Sequence, residues 1–106
     1  MIVLADSEIF NKEISKPYVK LLVYFTAPWC GACKYVGRTI EELDKSEEFY
    51  YIKVLKVDID QNPDLASRYN VRSIPTVLGI ADGMVQATLC GNISKEDIVR
   101  KIVSEL

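Results

Sequence analysis

The feature that most limits the fold is a buried apolar segment that runs directly into a pair of cysteines. Residues 18–25 are dense in β-branched and aromatic side chains, which is typical of a strand buried on both faces of an α/β sheet. Cys30 and Cys33 follow with the spacing Cys-X-X-Cys, and an amphipathic helical pattern begins there. The apolar stripe of this helix consists of Cys33, Val36, Ile40 and Leu43. The cysteines are therefore predicted where a central strand ends and a helix begins.

Further apolar segments extend this strand into a mixed sheet. Residues 51–58 follow the helix, and strand, helix, strand in this order implies a right-handed crossover between parallel neighbours. Residues 76–81 and 84–90 are separated by an Asp-Gly pair, a strong signal for a two-residue hairpin, so these two strands run antiparallel. Residues 1–6 are briefly apolar and predict a first strand.

Three more helices are indicated by their N-terminal residues. These are Asp6 or Ser7, Asn62 followed by Pro63, and Ser94 in a capping-box pattern. The chain has 106 residues and shows no linker, repeat or low-complexity tract, so it predicts one α/β domain over residues 1–106.

Composition and charge exclude several classes of function. The net charge is -2 and no run of Lys or Arg occurs, so we expect neither nucleic acid nor a membrane surface as a partner. No segment approaches the roughly eighteen apolar residues of a membrane span. Residues 1–6 lack a basic leader and a cleavage site. Three cysteines are too few for a secreted disulfide scaffold, so we expect a cytoplasmic location.

The two cysteines are predicted to have unequal roles. Cys30 stands at the start of a helix, where unpaired backbone N–H groups and the helix dipole favour the thiolate, the form that attacks disulfides. Cys33 lies one turn further on the apolar stripe and should be covered. We therefore expect Cys30 to attack a substrate disulfide and Cys33 to resolve the mixed disulfide.

A partial zinc site is the alternative use of this cysteine spacing. A structural zinc site needs four ligands, but the chain has no histidine and only one further cysteine, Cys90. The ligand count favours redox chemistry, and we expect no bound metal.

Several separate segments resemble the thioredoxin family over essentially the whole chain. They are residues 25–34, which read Phe-Thr-Ala-Pro-Trp-Cys-Gly-Ala-Cys-Lys, residues 57–63, residues 74–76, and Gly91. The resemblance implies the thioredoxin fold, an α/β architecture in which a central mixed five-stranded sheet is flanked by four α-helices. It implies protein-disulfide reduction with no bound cofactor beyond a redox-active Cys30–Cys33 disulfide. It also implies disulfide-containing substrate proteins and a thioredoxin reductase that supplies electrons from NADPH. We expect a monomer.

The resemblance also assigns roles around the cysteine pair. In the family, the proline that matches Pro75 forms a cis peptide and faces the two cysteines. Such a peptide would leave the backbone of Ile74 free to pair with an extended substrate segment. Without the resemblance, the residues themselves leave an alternative to the cis peptide, which is a trans proline that starts a strand. The implied docking surface consists of Trp29, Gly31, Ala32, Ile59, Ile74, Gly91 and Asn92.

Two positions depart from the family pattern. Ala32 stands where proline is usual, which should make the protein a somewhat weaker reductant because alanine adds an N–H near the sulfurs. Tyr24 stands where a buried aspartate usually lies beneath Cys33, and a phenol with a pKa of about 10 can donate or relay a proton but cannot accept one at neutral pH. The usual lysine is present as Lys56. Asp58 could substitute for the aspartate or be a solvated strand-end carboxylate.

Two further residues have alternative interpretations. Gly37 precedes Arg38, which stands where the family commonly has a kinking proline, so the helix either bends at the glycine or stays straight. Cys90 is by default a small buried hydrophobe at a strand end. If it is exposed, it would lie beside the docking surface and could take part in thiol exchange.

A binding module is the alternative function from a different class. In that case the docking surface would serve an accessory subunit and redox turnover would be secondary. Cysteine-dependent activity separates the two functions.

Overall fold

The apolar segment at residues 18–25 supplies the central strand of a five-stranded sheet. The fold is that of a computed structural model, which describes residues 2–106. The strands are β1 (Ile2–Leu4), β2 (Lys20–Thr26), β3 (Lys53–Asp58), β4 (Thr76–Ala81) and β5 (Met84–Cys90), arranged in the order β1-β3-β2-β4-β5. β3 pairs in parallel with β1 and β2, whereas β4 is antiparallel to β2 and to β5. The predicted mixed sheet is confirmed, and Met1 of the predicted first strand lies outside the described residues.

Four helices flank this sheet. They are α1 (Ser7–Ile14), α2 (Gly31–Asp44), α3 (Pro63–Arg68) and α4 (Lys95–Ile98), with a 3-10 turn at Glu47–Phe49 and a π-helical turn at Val99–Val103 after α4. None of the helices in residues 2–106 is long and apolar enough to cross a membrane.

Side-chain hydrogen bonds cap the first turns of α1 and α4. The Asp6 carboxylate accepts from the N–H of Ile9 at 2.8 Å, and Ser94 and Asp97 form the predicted capping box. Asn62 differs from the prediction, because its side chain makes no cap. Its amide donates instead to the carbonyl of Asp58 at 3.1 Å, which connects α3 to the end of β3.

The core consists of two apolar clusters, one on each face of the sheet. Alternate residues of β2 point to opposite faces. Leu22 and Tyr24 pack with the α2 stripe and with Ile98, whereas Leu21, Val23 and Phe25 pack with Phe10 of α1 and Leu65 of α3. Complete burial of each large side chain contributes about 1.5–3 kcal/mol. This packing fixes α2 over the face of the sheet on which Tyr24 lies.

The hairpin between β4 and β5 has the predicted turn. Asp82 and Gly83 have φ values of 53° and 78°, as a two-residue turn with two left-handed positions requires. Asn70 also has a left-handed φ of 55° and lies two residues after the end of α3, a position typical of a helix terminator.

Candidate active site

The two cysteines at the start of α2 are joined by a disulfide. Their Cα atoms are 5.3 Å apart. Cys30 is the extended N-terminal cap of α2, and its sulfur accepts from the backbone N–H of Cys33 at 3.2 Å. Cys30 is 7% exposed and Cys33 only 1%. The more exposed of the two cysteines therefore lies at the end of the helix where backbone N–H groups stabilise a thiolate.

The loop before β4 comes close to Cys30. The Ile74–Pro75 peptide is cis, as the family pattern implies. The carbonyl oxygen of Ile74 lies 3.9 Å from Cys30 Sγ, and the carbonyl of Pro75 accepts from the N–H of Gly91 at 3.1 Å. This arrangement places the backbone of Ile74 beside the sulfur of Cys30.

A groove of about 310 Å³ includes Ala32, the residue that directly precedes Cys33, in its lining. Its lining consists of Ala32, Tyr35 and Val36 from α2, together with Ile74, Pro75, Gly91 and Asn92 from the two facing loops. Four of the predicted docking residues, Ala32, Ile74, Gly91 and Asn92, are thus brought together.

The other three predicted docking residues lie outside this groove. Trp29 is 68% exposed, and its indole N–H donates to the carboxylate of Asp60 at 2.9 Å. Gly31 is exposed in the first turn of α2. Ile59 is half-buried against the core cluster on the face of α1 and α3. These three residues therefore do not line the groove.

Tyr35 lines the groove but was not predicted from the sequence. It is 64% exposed although it is aromatic. Its spacing of three residues from Ala32 places both on one face of the helix, and this was the signal available in the sequence.

A different cleft of about 590 Å³ reaches Cys33. Tyr24, Lys56 and Asp58 contribute to it from the sheet, so the structure brings these three predicted residues together with Cys33. The carboxylate of Asp58 accepts from the backbone N–H of Asp60 at 2.8 Å, which also makes it part of the turn after β3.

The hydroxyl of Tyr24 contacts the main chain of Cys33. It donates to the Cys33 carbonyl and lies 3.3 Å from the hydroxyl oxygen of Thr26. Burial raises the pKa of Tyr24, the hydrogen bond with Thr26 opposes this change, and the negative charge of Glu41 adds to it. The phenol therefore keeps its proton at neutral pH.

Cys90 is exposed, so the default prediction of a buried residue was wrong. β5 is an edge strand, and its half-buried positions are Ala87 and Leu89. Cys90 follows Leu89 directly, so its side chain lies on the opposite face of the strand.

Metal-binding side chains do not cluster in the part of the chain that the structure describes. Within residues 2–106, no group of three or more His, Cys, Asp or Glu side chains could hold an ion.

Comparisons with known proteins agree on one family. A family model described as Thioredoxin matches residues 1–104. The thioredoxin of Bacillus subtilis is 43% identical over 95 residues, which are 90% of this chain and 88% of that relative. The thioredoxin of Rickettsia bellii is 39% identical over 93 residues, which are 88% of each chain.

A solved structure gives the same result for the fold. It is a mutant thioredoxin from Halobacterium salinarum, which matches with a TM-score of 0.84 and 28% identity over 99% of this chain and 88% of that one. With the family model and two relatives each matching most of the sequence, the chain belongs to the thioredoxin family of protein-disulfide oxidoreductases.

Proposed function

We propose that the protein reduces disulfides in other proteins with Cys30 as the nucleophile and Cys33 as the resolving cysteine. The Cys30 thiolate attacks one sulfur of the substrate disulfide, and the other sulfur leaves as a thiolate and takes a proton. Cys33 then attacks Cys30 Sγ, and the second substrate sulfur leaves. Two electrons pass to the substrate, and the protein is left with the Cys30–Cys33 disulfide.

One observation above all supports these roles. Cys30 caps the N-terminus of α2, is the more exposed of the two cysteines, and lies 3.9 Å from the carbonyl oxygen of Ile74. A substrate segment that pairs with the backbone of Ile74 would bring its disulfide to Cys30 and not to the covered Cys33. The groove residues Ala32, Gly91 and Asn92, with Trp29, Gly31 and Ile59 around them, would contact its side chains.

The reduced form must be regenerated by another protein. We propose that a thioredoxin reductase does this with electrons from NADPH, and that the protein itself binds no cofactor. We propose that it acts as a monomer in the cytoplasm. The mixed charge, with a net value of -2, favours a range of protein substrates over a nucleic-acid partner.

Cysteine variants test these roles in an insulin reduction assay with dithiothreitol as the reductant. Cys30→Ser should abolish the acceleration of insulin precipitation. Reduced Cys33→Ser, mixed with insulin after dithiothreitol has been removed, should accumulate a mixed disulfide with the substrate. The matched control is Cys90→Ser, which should retain full activity. Activity that survives in Cys30→Ser would instead support a binding module whose surface, and not its cysteines, promotes precipitation.

We also propose that Asp58 receives the proton of Cys33, because the carboxylate lines the same cleft and Tyr24 retains its own proton. We propose that Lys56, which lines the same cleft, also belongs to this proton route. Asp58→Asn should slow substrate release at pH 7 by roughly 10-fold to 100-fold, and the rate should recover at higher pH, where the thiol ionises unaided. Glu41→Gln removes a different carboxylate from the cleft and is the control. An unchanged pH profile in Asp58→Asn would remove Asp58 from the mechanism.

A further inference from the structure

The cleft beside Cys33 contains a buried hydroxyl whose hydrogen-bond partners are two oxygen atoms. Tyr24 is 3% exposed, and its ring belongs to the apolar cluster that also contains Cys33, Val36 and Ile40. A buried hydroxyl without a partner is costly. The hydroxyl of Tyr24 finds its partner in the carbonyl of Cys33, the residue that carries the second sulfur.

This contact adds to the regular hydrogen bonding of α2. In an α-helix, the carbonyl of Cys33 is the normal acceptor for the N–H of Gly37, four residues later. A carbonyl oxygen has two lone pairs, so the phenol can use the second. The first turn of α2 is then attached to β2 at one specific atom.

Gly37 leaves the space that this hydrogen bond needs. A Cβ atom at position 37 would lie 3.2 Å from the hydroxyl oxygen of Tyr24. Such a distance is tight, and the hydroxyl would have to move by a few tenths of an ångström. The glycine therefore allows α2 to lie close to Tyr24. The helix is not interrupted there, because α2 continues as an α-helix from Gly31 to Asp44.

We propose that Tyr24 is a positioning residue, which holds Cys33 through its main-chain carbonyl and so directs the Cys33 sulfur at Cys30. This inference rests on the proposed roles of the two cysteines. In the step concerned, Cys33 Sγ bonds to Cys30 Sγ, the bond between Cys30 and the substrate sulfur breaks, and the released thiolate takes a proton from solvent. Tyr24 keeps its proton throughout.

The surroundings of Tyr24 distinguish positioning from proton relay. Its single proton is directed at a carbonyl, which does not exchange protons, and its other polar neighbour is the hydroxyl of Thr26. The charged groups that line the cleft are Lys56 and Asp58 from β3 and Lys34, Arg38 and Glu41 from α2. The hydroxyl of Tyr24 has its hydrogen bonds with Thr26 and Cys33 and not with these charged groups, so we expect it to set the rate of the step and not its pH dependence.

Rapid-quench kinetics on Tyr24→Phe test the proposal, because this variant keeps the ring and removes the hydroxyl. The reduced protein is mixed with a peptide disulfide, and the mixed disulfide is trapped over time. We expect formation of the mixed disulfide to be unchanged and its resolution to slow by about 3-fold to 10-fold, with the pH midpoint unchanged. Slowing of both steps alike, or a shifted pH midpoint, would overturn the proposal, and the shift would identify a relay.

Gly37→Ala tests the same hydrogen bond from the side of α2, because the added methyl group would displace the Tyr24 hydroxyl. On its own it should also slow resolution selectively. Combined with Tyr24→Phe it should add almost nothing, because the hydroxyl that the new methyl group would meet is gone. Additive effects of the two substitutions would contradict the proposal, as would a normal resolution rate in Gly37→Ala.

Cys33→Ser separates failure of this inference from failure of the proposed function. If Cys33→Ser traps the mixed disulfide while both Tyr24→Phe and Gly37→Ala resolve it at the normal rate, the proposed function stands and the role of Tyr24 is refuted. If Cys33→Ser traps nothing, the proposed function itself is wrong, and the inference fails with it.

Discussion

Ala32 keeps a backbone N–H at a position where the family usually has proline. It lies in the first turn of α2, whose N–H groups have no partner within the helix. Donors at this helix terminus stabilise the thiolate of Cys30 and therefore the reduced form of the pair. A proline would remove one such donor and fix the backbone at the same time.

Ala32→Pro should therefore make the protein a stronger reductant. Loss of a donor worth about 1 kcal/mol lowers the potential by roughly 20 mV for a two-electron couple. Equilibration of both proteins with glutathione buffers measures the difference. Ala32→Ser retains the N–H and should leave the potential near that of the unmodified protein. Equal potentials for the proline variant and the unmodified protein would show that the N–H has no such effect.

Tyr35 should influence which substrates dock beside the disulfide. Its exposed ring forms part of the groove wall, and an aromatic contact is worth about 0.5–1.5 kcal/mol. Tyr35→Ala should lower kcat/KM roughly 3-fold to 10-fold for peptide disulfides with apolar residues beside the cysteine. It should not affect a small disulfide such as oxidised glutathione. The control is Tyr50→Ala, since Tyr50 is 91% exposed outside the groove, and an equal loss in both variants would count against a role for Tyr35.

At the scale of elements, α1 is attached to the sheet by a buried carboxylate. Glu13 is only 6% exposed, and its two oxygens accept from Lys16 at 2.7 Å and from Lys53 of β3 at 3.0 Å. The hydrogen bond from Lys16, together with Lys53, lowers the pKa of Glu13 below its usual 4.5 although burial opposes this change. The folded state therefore favours the ionised carboxylate.

This linkage predicts the pH dependence of stability. Because the folded pKa is the lower one, the contribution of Glu13 is complete above about pH 4.5 and is lost as the pH falls through the folded value. Glu13→Gln should lower the free energy of unfolding by about 1–2 kcal/mol at pH 7, and the difference should shrink in acid. Urea denaturation at pH 7 and pH 3 measures it. Glu8→Gln, on the exposed side of the same helix, should have little effect at either pH. A deficit in Glu13→Gln that is as large at pH 3 would exclude this linkage.

At the scale of the whole molecule, stability should be greatest in the middle of the sheet. β2 lies between β3 and β4, and its residues from Leu21 to Thr26 are all buried. β5 has one strand neighbour and exposes Met84 and Val85. The hydrogen-bonded amides of β2 should exchange only on global unfolding, whereas those of β5 should exchange through local opening at a lower free energy. Native-state hydrogen exchange tests this, and equal protection in both strands would contradict it.

The sequence was sufficient for features that depend on neighbouring residues. The buried strand, the helix that starts at Cys30 and the Asp-Gly hairpin each follow from a local pattern. The side-chain interactions of Asn62 and the exposure of Cys90 did not, because each depends on which strand or turn packs nearby. The same holds for the contact between Tyr24 and the Cys33 carbonyl, which forms only once α2 lies on β2.

The exposure of Cys90 also has a practical consequence. While Cys30 and Cys33 are joined, Cys90 carries the one remaining thiol of the chain's three cysteines. A maleimide dye would therefore attach to the oxidised protein at a single site. That site directly precedes Gly91, which lines the groove, so the dye's emission would report the arrival of a partner there without any engineered cysteine.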